Sequence, residues 1–167
     1  QYSIRCARFP VSKVTAYEPT PSSYQILTKL KLPNFKPIHA AIVGNDREEA
    51  TLHVSSGIGV TNSTILSFSN KKAITVPAVK YSDAIKDATI VKIDVEGGEY
   101  NFHIEDNFPD SLRALIIDFH PVSRYRWLEE AKEIVLAIER EGFTPVISPD
   151  WSNEWARAGS WMRERDL

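Results

Sequence analysis

Short apolar runs alternate with helix-type segments along this chain of 167 residues, and this order constrains the fold more than any other feature. Residues 14–18 form a β-prone run that ends at Pro19, and apolar residues recur at helical spacing over 21–32. Residues 37–43 are mostly apolar, which indicates a strand covered on both faces. Together these segments predict a β-α-β unit.

The same alternation returns in the second half of the chain. Residues 90–95 and 114–119 are predicted strands, residues 99–108 a predicted helix between them, and residues 143–147 the last strand. Before that last strand, Gly142 ends the strongest predicted helix. The apolar stripe of that helix consists of Leu128, Ala131, Ile134, Val135 and Ile138. The pattern predicts an α/β fold with a mostly parallel sheet and helices on both faces.

The middle and the tail of the chain follow the pattern less well. Residues 51–54 and 73–79 are predicted strands that flank a Ser-, Thr-, Asn- and Gly-rich surface loop over 55–70. Pro77 favours an edge position for its strand, and a short capped helix is predicted at 82–85. No element is predicted for the tail, but its tryptophans are expected to pack against the sheet or its helices. These are Trp151, Trp155 and Trp161.

Charge and cysteine content narrow the class of partner. Twenty Lys and Arg residues against 22 Asp and Glu residues give a formal net charge of -2. Because no global positive field results, we expect neither nucleic acid nor an anionic membrane as a partner. Cys6 is the only cysteine, which excludes an internal disulfide, and the apolar runs are far shorter than the roughly 20 residues of a membrane span. We therefore expect one water-soluble domain over residues 1–167. The cytoplasm is the predicted location, and a chain without disulfides is compatible with that compartment but does not require it.

Several acidic and polar residues come at the ends of predicted strands. They are Glu18, Asn45, Asp46, Asp94, Glu96, Asp118 and His120. Strands joined by single helices are nearly always parallel, so their carboxyl ends lie along one edge of the sheet. Ligands of open α/β sheets bind outside that edge, and we expect these side chains to gather there.

Each of these residues has a functional and a structural interpretation. Glu18 can accept both hydroxyl hydrogens of a ribose, or it can cap the helix that follows. Asp94 is expected to be an unpaired, buried carboxylate completed by a ligand, with an ion pair to Lys92 or a helix cap as the alternative. His120 can act as a general base near neutral pH or bond to a loop. For Glu99 the structural role at a helix start is preferred.

A metal site is a minor alternative. Asp94, Glu96, Asp118 and His120 are possible ligands of a hard cation, but the chain contains no compact ligand motif such as His-Glu-x-x-His. We therefore predict no metal ligands. A Gly-rich dinucleotide fingerprint and a Walker loop are also missing from the sequence.

Three blocks of sequence resemble the FkbM-type methyltransferases. They are Ala-Tyr-Glu-Pro at 16–19, Ile-Val-Lys-Ile-Asp-Val-Glu-Gly-Gly-Glu at 90–99, and Ile-Asp-Phe-His at 117–120. The resemblance implies a Rossmann-like class I methyltransferase sandwich that uses S-adenosylmethionine. It further implies methylation of a hydroxyl group on a sugar, glycan or natural product. The family commonly has glutamate at the position of Asp118.

The resemblance also implies roles for individual residues. For the cofactor it implies Glu18 with Pro19 at the ribose, Asn45 and Asp46 near the adenine, Ser63 at the border of the pocket, and Asp94 beside it. For the reaction it implies Asp94 with Glu96, and His120 as the candidate base. Methyltransferases of this class begin with a strand and an Asp-x-Gly-x-x-x-Gly turn, and this sequence begins with what is predicted as the helix after that turn. We therefore expect an N-terminally incomplete domain.

Two rival functions stay open at this point. A noncatalytic module with a degenerate methyltransferase fold would bind a glycan or a protein, and the missing glycine turn favours it. A nicotinamide-dependent enzyme would also use Glu18 on a ribose, but it too needs a glycine-rich turn.

Overall fold

The computed structural model describes residues 2–54, 63–64, 72–104, 108–122, 127–152 and 157–163. Over these ranges the chain forms four α-helices and nine strands. The helices are α1 (Tyr2–Cys6), α2 (Pro21–Thr28), α3 (Tyr81–Ile85) and α4 (Trp127–Arg140). The strands are β1 (Val14–Tyr17), β2 (Phe35–Ile38), β3 (Ala41–Val43), β4 (Glu49–Val54), β5 (Lys72–Lys80), β6 (Ile90–Ile93), β7 (Ala114–Phe119), β8 (Phe143–Ile147) and β9 (Arg157–Arg163).

The first two strands are parallel and are joined through α2, as the sequence predicts. Thr20 is the N-cap residue of α2 and Pro21 its first helical residue, where a missing N–H costs nothing. The predicted single strand over 37–43 is wrong, because the chain leaves the ladder after β2 and enters another sheet as β3. At the break, the Ala40 N–H donates to the Ile38 carbonyl at 3.1 Å, and the His39 ring stacks on Tyr24.

The second sheet has the order β3-β5-β4, with β5 parallel to β3 and antiparallel to β4. The prediction of an edge strand from Pro77 is wrong, since β5 is the middle strand. The ladder tolerates Pro77 because β3 pairs only with residues from Ala78 onward, and the Ala78 N–H donates to Glu48 on the other side at 2.8 Å. The following helix starts at Tyr81, with Lys80 as an N-cap residue that makes no side-chain cap.

The third sheet has the order β6-β7-β9-β8. Only its β6–β7 pair is parallel, because β9 lies antiparallel between β7 and β8. The described chain is thus a mixed α/β structure with several small sheets, and a single, mostly parallel sandwich is not confirmed. Its main core lies around this third sheet, where Trp161, Phe119 and Phe143 are buried.

Helix α4 covers this core as the hydrophobic pattern predicts. Ala131, Ile134 and Ile138 are its buried residues, and Gly142, at φ 79°, ends it in a left-handed conformation. Trp151 packs against Phe119 with ring centroids 5.7 Å apart. Two of the three predicted tryptophans therefore pack against the sheet, and Trp155 lies outside the described residues.

The predicted helix over 99–108 is wrong within the described part of that range. A single 3-10 turn, Gly98–Asn101, takes its place, and His103 at φ 50° leaves helical geometry. Gly44, the residue after β3, lies directly against this turn, because a Cβ added at Gly44 would overlap the carbonyl oxygen of Asn101. Of the predicted loop 55–70, the structure describes Ser63 and Thr64. In the described parts of the chain, no helix has the length and apolar character required to cross a membrane.

Candidate active site

The segment after β6 makes a tight turn that carries several of the predicted site residues. Glu96 and Gly97 both have positive φ, at 54° and 99°. Glycine adopts this conformation freely, but glutamate does so at a cost of roughly 1 kcal/mol or more, so contacts must hold it. One such contact is the Ser63 hydroxyl, which donates to the Glu96 carbonyl at 2.8 Å. The hydrogen bond from Ser63 therefore helps to hold Glu96 in this conformation.

Glu99 joins this turn to the end of β7. Its side chain is completely buried, and its Oε2 accepts the Gly97 N–H at 3.0 Å. Its Oε1 accepts the His120 N–H at 2.7 Å. These hydrogen bonds compensate part of the large cost of burying a carboxylate.

The imidazole of His120 lies among three carboxylates. Its Nδ1 is 3.3 Å from Glu99 Oε1, an ion-pair distance without hydrogen-bond geometry. Its Nε2 is 3.8 Å from Asp94 Oδ1 and 3.6 Å from Glu96 Oε2. The Tyr100 hydroxyl donates to the backbone carbonyl of His120 at 2.9 Å. Acid–base groups from the ends of β6 and β7 thus meet at one place.

The electrostatic environment of His120 shifts its titration. Burial acts to lower the pKa of the imidazole. The Glu99 carboxylate and, with smaller effects, Glu96 and Asp94 outweigh burial and raise that pKa above its ordinary value. Near neutral pH the ring is therefore protonated to a greater extent than a free imidazole.

Lys92 links two of the predicted carboxylates. Its ammonium is 3.0 Å from Asp94 Oδ2 and 2.6 Å from Asp118 Oδ2. The expectation of an unpaired, buried Asp94 is wrong, because its side chain is 52% exposed and ion-paired. Residues two apart in an extended segment project to the same face, which brings Lys92 and Asp94 together. Burial lowers the pKa of Lys92, and the two carboxylates outweigh it and raise that pKa.

A cavity of about 250 Å3 opens beside these groups, and it contains four of the predicted residues: Glu18, Pro19, Asp94 and Glu96. The sequence did not assign the other residues that line this cavity to the site. Those residues include Thr20, Ser23, Thr64, Ile42, Leu52 and Val95. Carboxylates that follow β1 and β6 therefore line one cavity, although the two strands belong to different sheets and not to the single sheet edge that the sequence predicts.

Glu18 combines both interpretations of its carboxylate. Its Oε1 accepts the backbone N–H of Thr20 at 2.8 Å, which fixes the start of α2, while the residue lines the cavity. The structural alternative is therefore present without removing the side chain from the candidate site.

Three further residues that the sequence assigns to the cofactor site do not line this first cavity: Asn45, Asp46 and Ser63. Asn45 lines a second cavity of about 320 Å3 together with Arg47 and His103. Asp46 is 85% exposed and pairs with Lys80 at 2.8 Å. Ser63 is buried, and its neighbour Thr64 lines the first cavity.

The same cluster is where a cation would fit, if the protein bound one. One ligand atom from each of Asp94, Glu96 and His120 lies within 4.8 Å of the others. The Lys92 ammonium, however, already pairs with Asp94, so positive charge is supplied there by the protein. We therefore treat the cluster as an acid–base group.

Comparison with protein-family models matches residues 2–145 to the methyltransferase FkbM domain. Searches among curated proteins and among solved structures returned no match. The matched range contains the cavity residues and the turn from Glu96 to Glu99, and it agrees with the resemblance of the block at 90–99. Because the match extends over well more than half of the chain, this protein belongs to the FkbM methyltransferase family.

Proposed function

We propose that this protein transfers a methyl group from S-adenosylmethionine to a hydroxyl group of a sugar, glycan or natural product. Family membership supports methyl transfer in general, and the methyl donor of such enzymes is typically S-adenosylmethionine. The observation that carries the finer proposal is that Glu18 and Asp94 line the same cavity.

The donor side of the cavity is suited to a nucleoside. The Glu18 carboxylate offers acceptor oxygens for ribose hydroxyls, and its bond to the Thr20 N–H holds it in one orientation. Ile42 and Leu52 supply apolar wall for a base. The volume of this cavity, about 250 Å3, is slightly below the roughly 300 Å3 of the smallest typical ligand pockets. It therefore suits part of the cofactor. When bound, S-adenosylmethionine supplies an electrophilic methyl group on a positively charged sulfur.

The acceptor side is formed by the residues around His120. In its neutral form, Nε2 of His120 accepts the proton of the acceptor hydroxyl, and Asp94 and Glu96 stabilise the imidazolium that results. Such proton removal contributes about 10²- to 10⁴-fold in rate. Holding the acceptor oxygen in line with the methyl group contributes more, as alignment of two reactants generally does.

Calorimetry with the whole protein tests the proposal and separates it from its rivals. We expect S-adenosylmethionine and S-adenosylhomocysteine to bind with 1:1 stoichiometry and NAD⁺ to give no heat. Binding of NAD⁺ alone would support a nicotinamide enzyme and contradict the proposal. Binding of neither the methyl donor nor NAD⁺ would favour the noncatalytic glycan- or protein-binding module. Because Lys92 supplies the charge at Asp94, EDTA should leave donor binding and turnover unchanged.

A further inference from the structure

Glu99 is the least exposed acidic group of the candidate site, and its partners are two backbone N–H groups and an imidazole. Its two oxygens accept backbone N–H groups from Gly97 and His120, and one of them also faces the His120 ring. A carboxylate that needs only a structural cap finds it at the surface at much lower cost in desolvation. An effect of the Glu99 charge on His120 would explain why this carboxylate is buried.

We propose that Glu99 is a positioning residue that fixes both the backbone and the ring of His120, so that Nε2, on the side of Asp94 and Glu96, accepts the proton of the acceptor hydroxyl. This inference rests on the proposed function, because it assigns His120 the role of base. It adds a residue that the sequence assigns to a helix start.

The geometry supports a role in orientation. The same atom, Glu99 Oε1, is 2.7 Å from the His120 backbone N and 3.3 Å from its Nδ1. The negative charge of a buried carboxylate at this side of an imidazole favours the tautomer that carries its proton on Nδ1. Nε2 then keeps its lone pair, and it lies on the side of the ring that faces Asp94 and Glu96.

Differences in burial separate Glu99 from the other charges that face His120. Those charges are Asp94 and Glu96, whose side chains are 52% and 31% exposed, and solvent screens them. Glu99 is fully buried, so its charge acts through a lower effective dielectric. It is also the strongest of the three in raising the pKa of the imidazole. The hydroxyl of Tyr100 contacts the backbone carbonyl of His120.

The first test is Glu99→Gln, which keeps the shape and one acceptor oxygen but removes the charge. The matched control is Glu139→Gln, an exposed residue near the carboxyl end of α4. His120 is titrated by NMR in the protein without methyl donor, and kcat is measured against pH. We expect Glu99→Gln to lower the His120 midpoint and to reduce kcat about 10- to 100-fold, part of what a general base contributes. Donor affinity and the control should be unchanged.

A purely structural role predicts a different result. Glu99→Gln would then lower the melting temperature but leave kcat and the tautomer of the His120 ring as in the wild type. That outcome overturns the proposal. The NMR measurement needs no methyl donor, so a His120 tautomer that changes in Glu99→Gln, in a protein that fails to bind S-adenosylmethionine, would contradict the proposed function while retaining the positioning role.

A measurement on the unaltered protein keeps the proposal testable if Glu99→Gln does not fold. The ring-nitrogen shifts of His120 at high pH report which nitrogen carries the proton. We expect the proton on Nδ1, and a proton mainly on Nε2 overturns the proposal. In variants that fold, Glu99→Gln should cost little further activity when His120→Gln is already present, because Glu99 acts through that ring.

Discussion

The carboxylate of Glu18 shows how one side chain meets a local and a ligand-binding requirement together. One oxygen satisfies the Thr20 N–H at the start of α2, a donor without an intrahelical partner. The residue nevertheless lines the cavity, with acceptor capacity left for a ligand. Position in the sequence alone favoured neither interpretation, because both place a carboxylate between a strand and a helix.

Replacing Glu18 by Gln should weaken S-adenosylmethionine binding by roughly 10- to 100-fold, the loss expected for hydrogen bonds to a charged acceptor. The amide keeps an oxygen for the Thr20 N–H but replaces the other acceptor with a donor, so the fold should be retained. Calorimetry measures the affinity, with the exposed Glu133→Gln on α4 as control. Equal affinities for Glu18→Gln and wild type would remove this residue from the donor site.

The stability of the protein should depend on pH through His120. Its folded pKa is raised above the unfolded value of about 6.5, so the protonated ring stabilises the fold. This stabilisation is fully present below about pH 6.5 and is lost as the pH rises through the folded pKa. Urea unfolding at several pH values should show the loss, and His120→Gln should flatten the curve in that window. An equal slope in both proteins would contradict the shift.

Glu96 and Glu99 mark the limit of prediction at the residue scale. Both flank the same pair of glycines, and the sequence offers no sign that the side chain of one is about one-third exposed and that of the other fully buried. The difference arises because Glu99 meets the end of β7, which is separated from it by many residues. The sequence around Glu99 gives no information about its contact with His120 at the end of β7.

Elements were predicted well where they depend on their own sequence. β7, α4 and β8 have clear hydrophobic patterns, and the structure confirms them closely. The predicted strand 37–43 is wrong, and so is the predicted helix 99–108 over its described residues, because contacts from elsewhere interrupt them. His39 stacks on α2 in the first case, and the 3-10 turn meets the end of β3 in the second.

Gly44→Ala tests the contact between β3 and the 3-10 turn. The new Cβ would overlap the Asn101 carbonyl, and because backbone must shift, we expect a loss of about 2 kcal/mol or more in unfolding free energy. Gly142→Ala is the comparison, since it has φ 79° and open space around it, and should cost only about 1 kcal/mol from the left-handed conformation. Chemical denaturation gives both values. A Gly44→Ala protein as stable as wild type would disprove the close approach.

At the scale of the whole molecule, the tail completes the main sheet. β9 inserts between β7 and β8 and brings Trp161 into the centre of the core. The strand escaped prediction because charged residues surround its apolar ones, and only its two neighbours supply the pairing that makes it extended. The family match ends at residue 145, before this strand begins.

Trp161→Ala should therefore destabilise the entire main core. Removing a fully buried tryptophan leaves a large cavity, and we expect a loss of about 3–5 kcal/mol. Val146→Ala on β8, where the side chain is more than half exposed, should change the stability by less than about 0.5 kcal/mol. Thermal or urea unfolding compares the two. Similar small losses would mean that β9 is peripheral to the core.

The sequence by itself determined the family, the α/β alternation, the amphipathic face of α4 and the acidic residues that end β1 and β6. Only the tertiary structure decided that Lys92 neutralises Asp94, that Glu99 is buried under His120, and that the tail is a central strand. The physical reason is that side-chain periodicity reports which face of an element is apolar. Which distant element covers that face, and which charge it carries there, depends on packing in three dimensions.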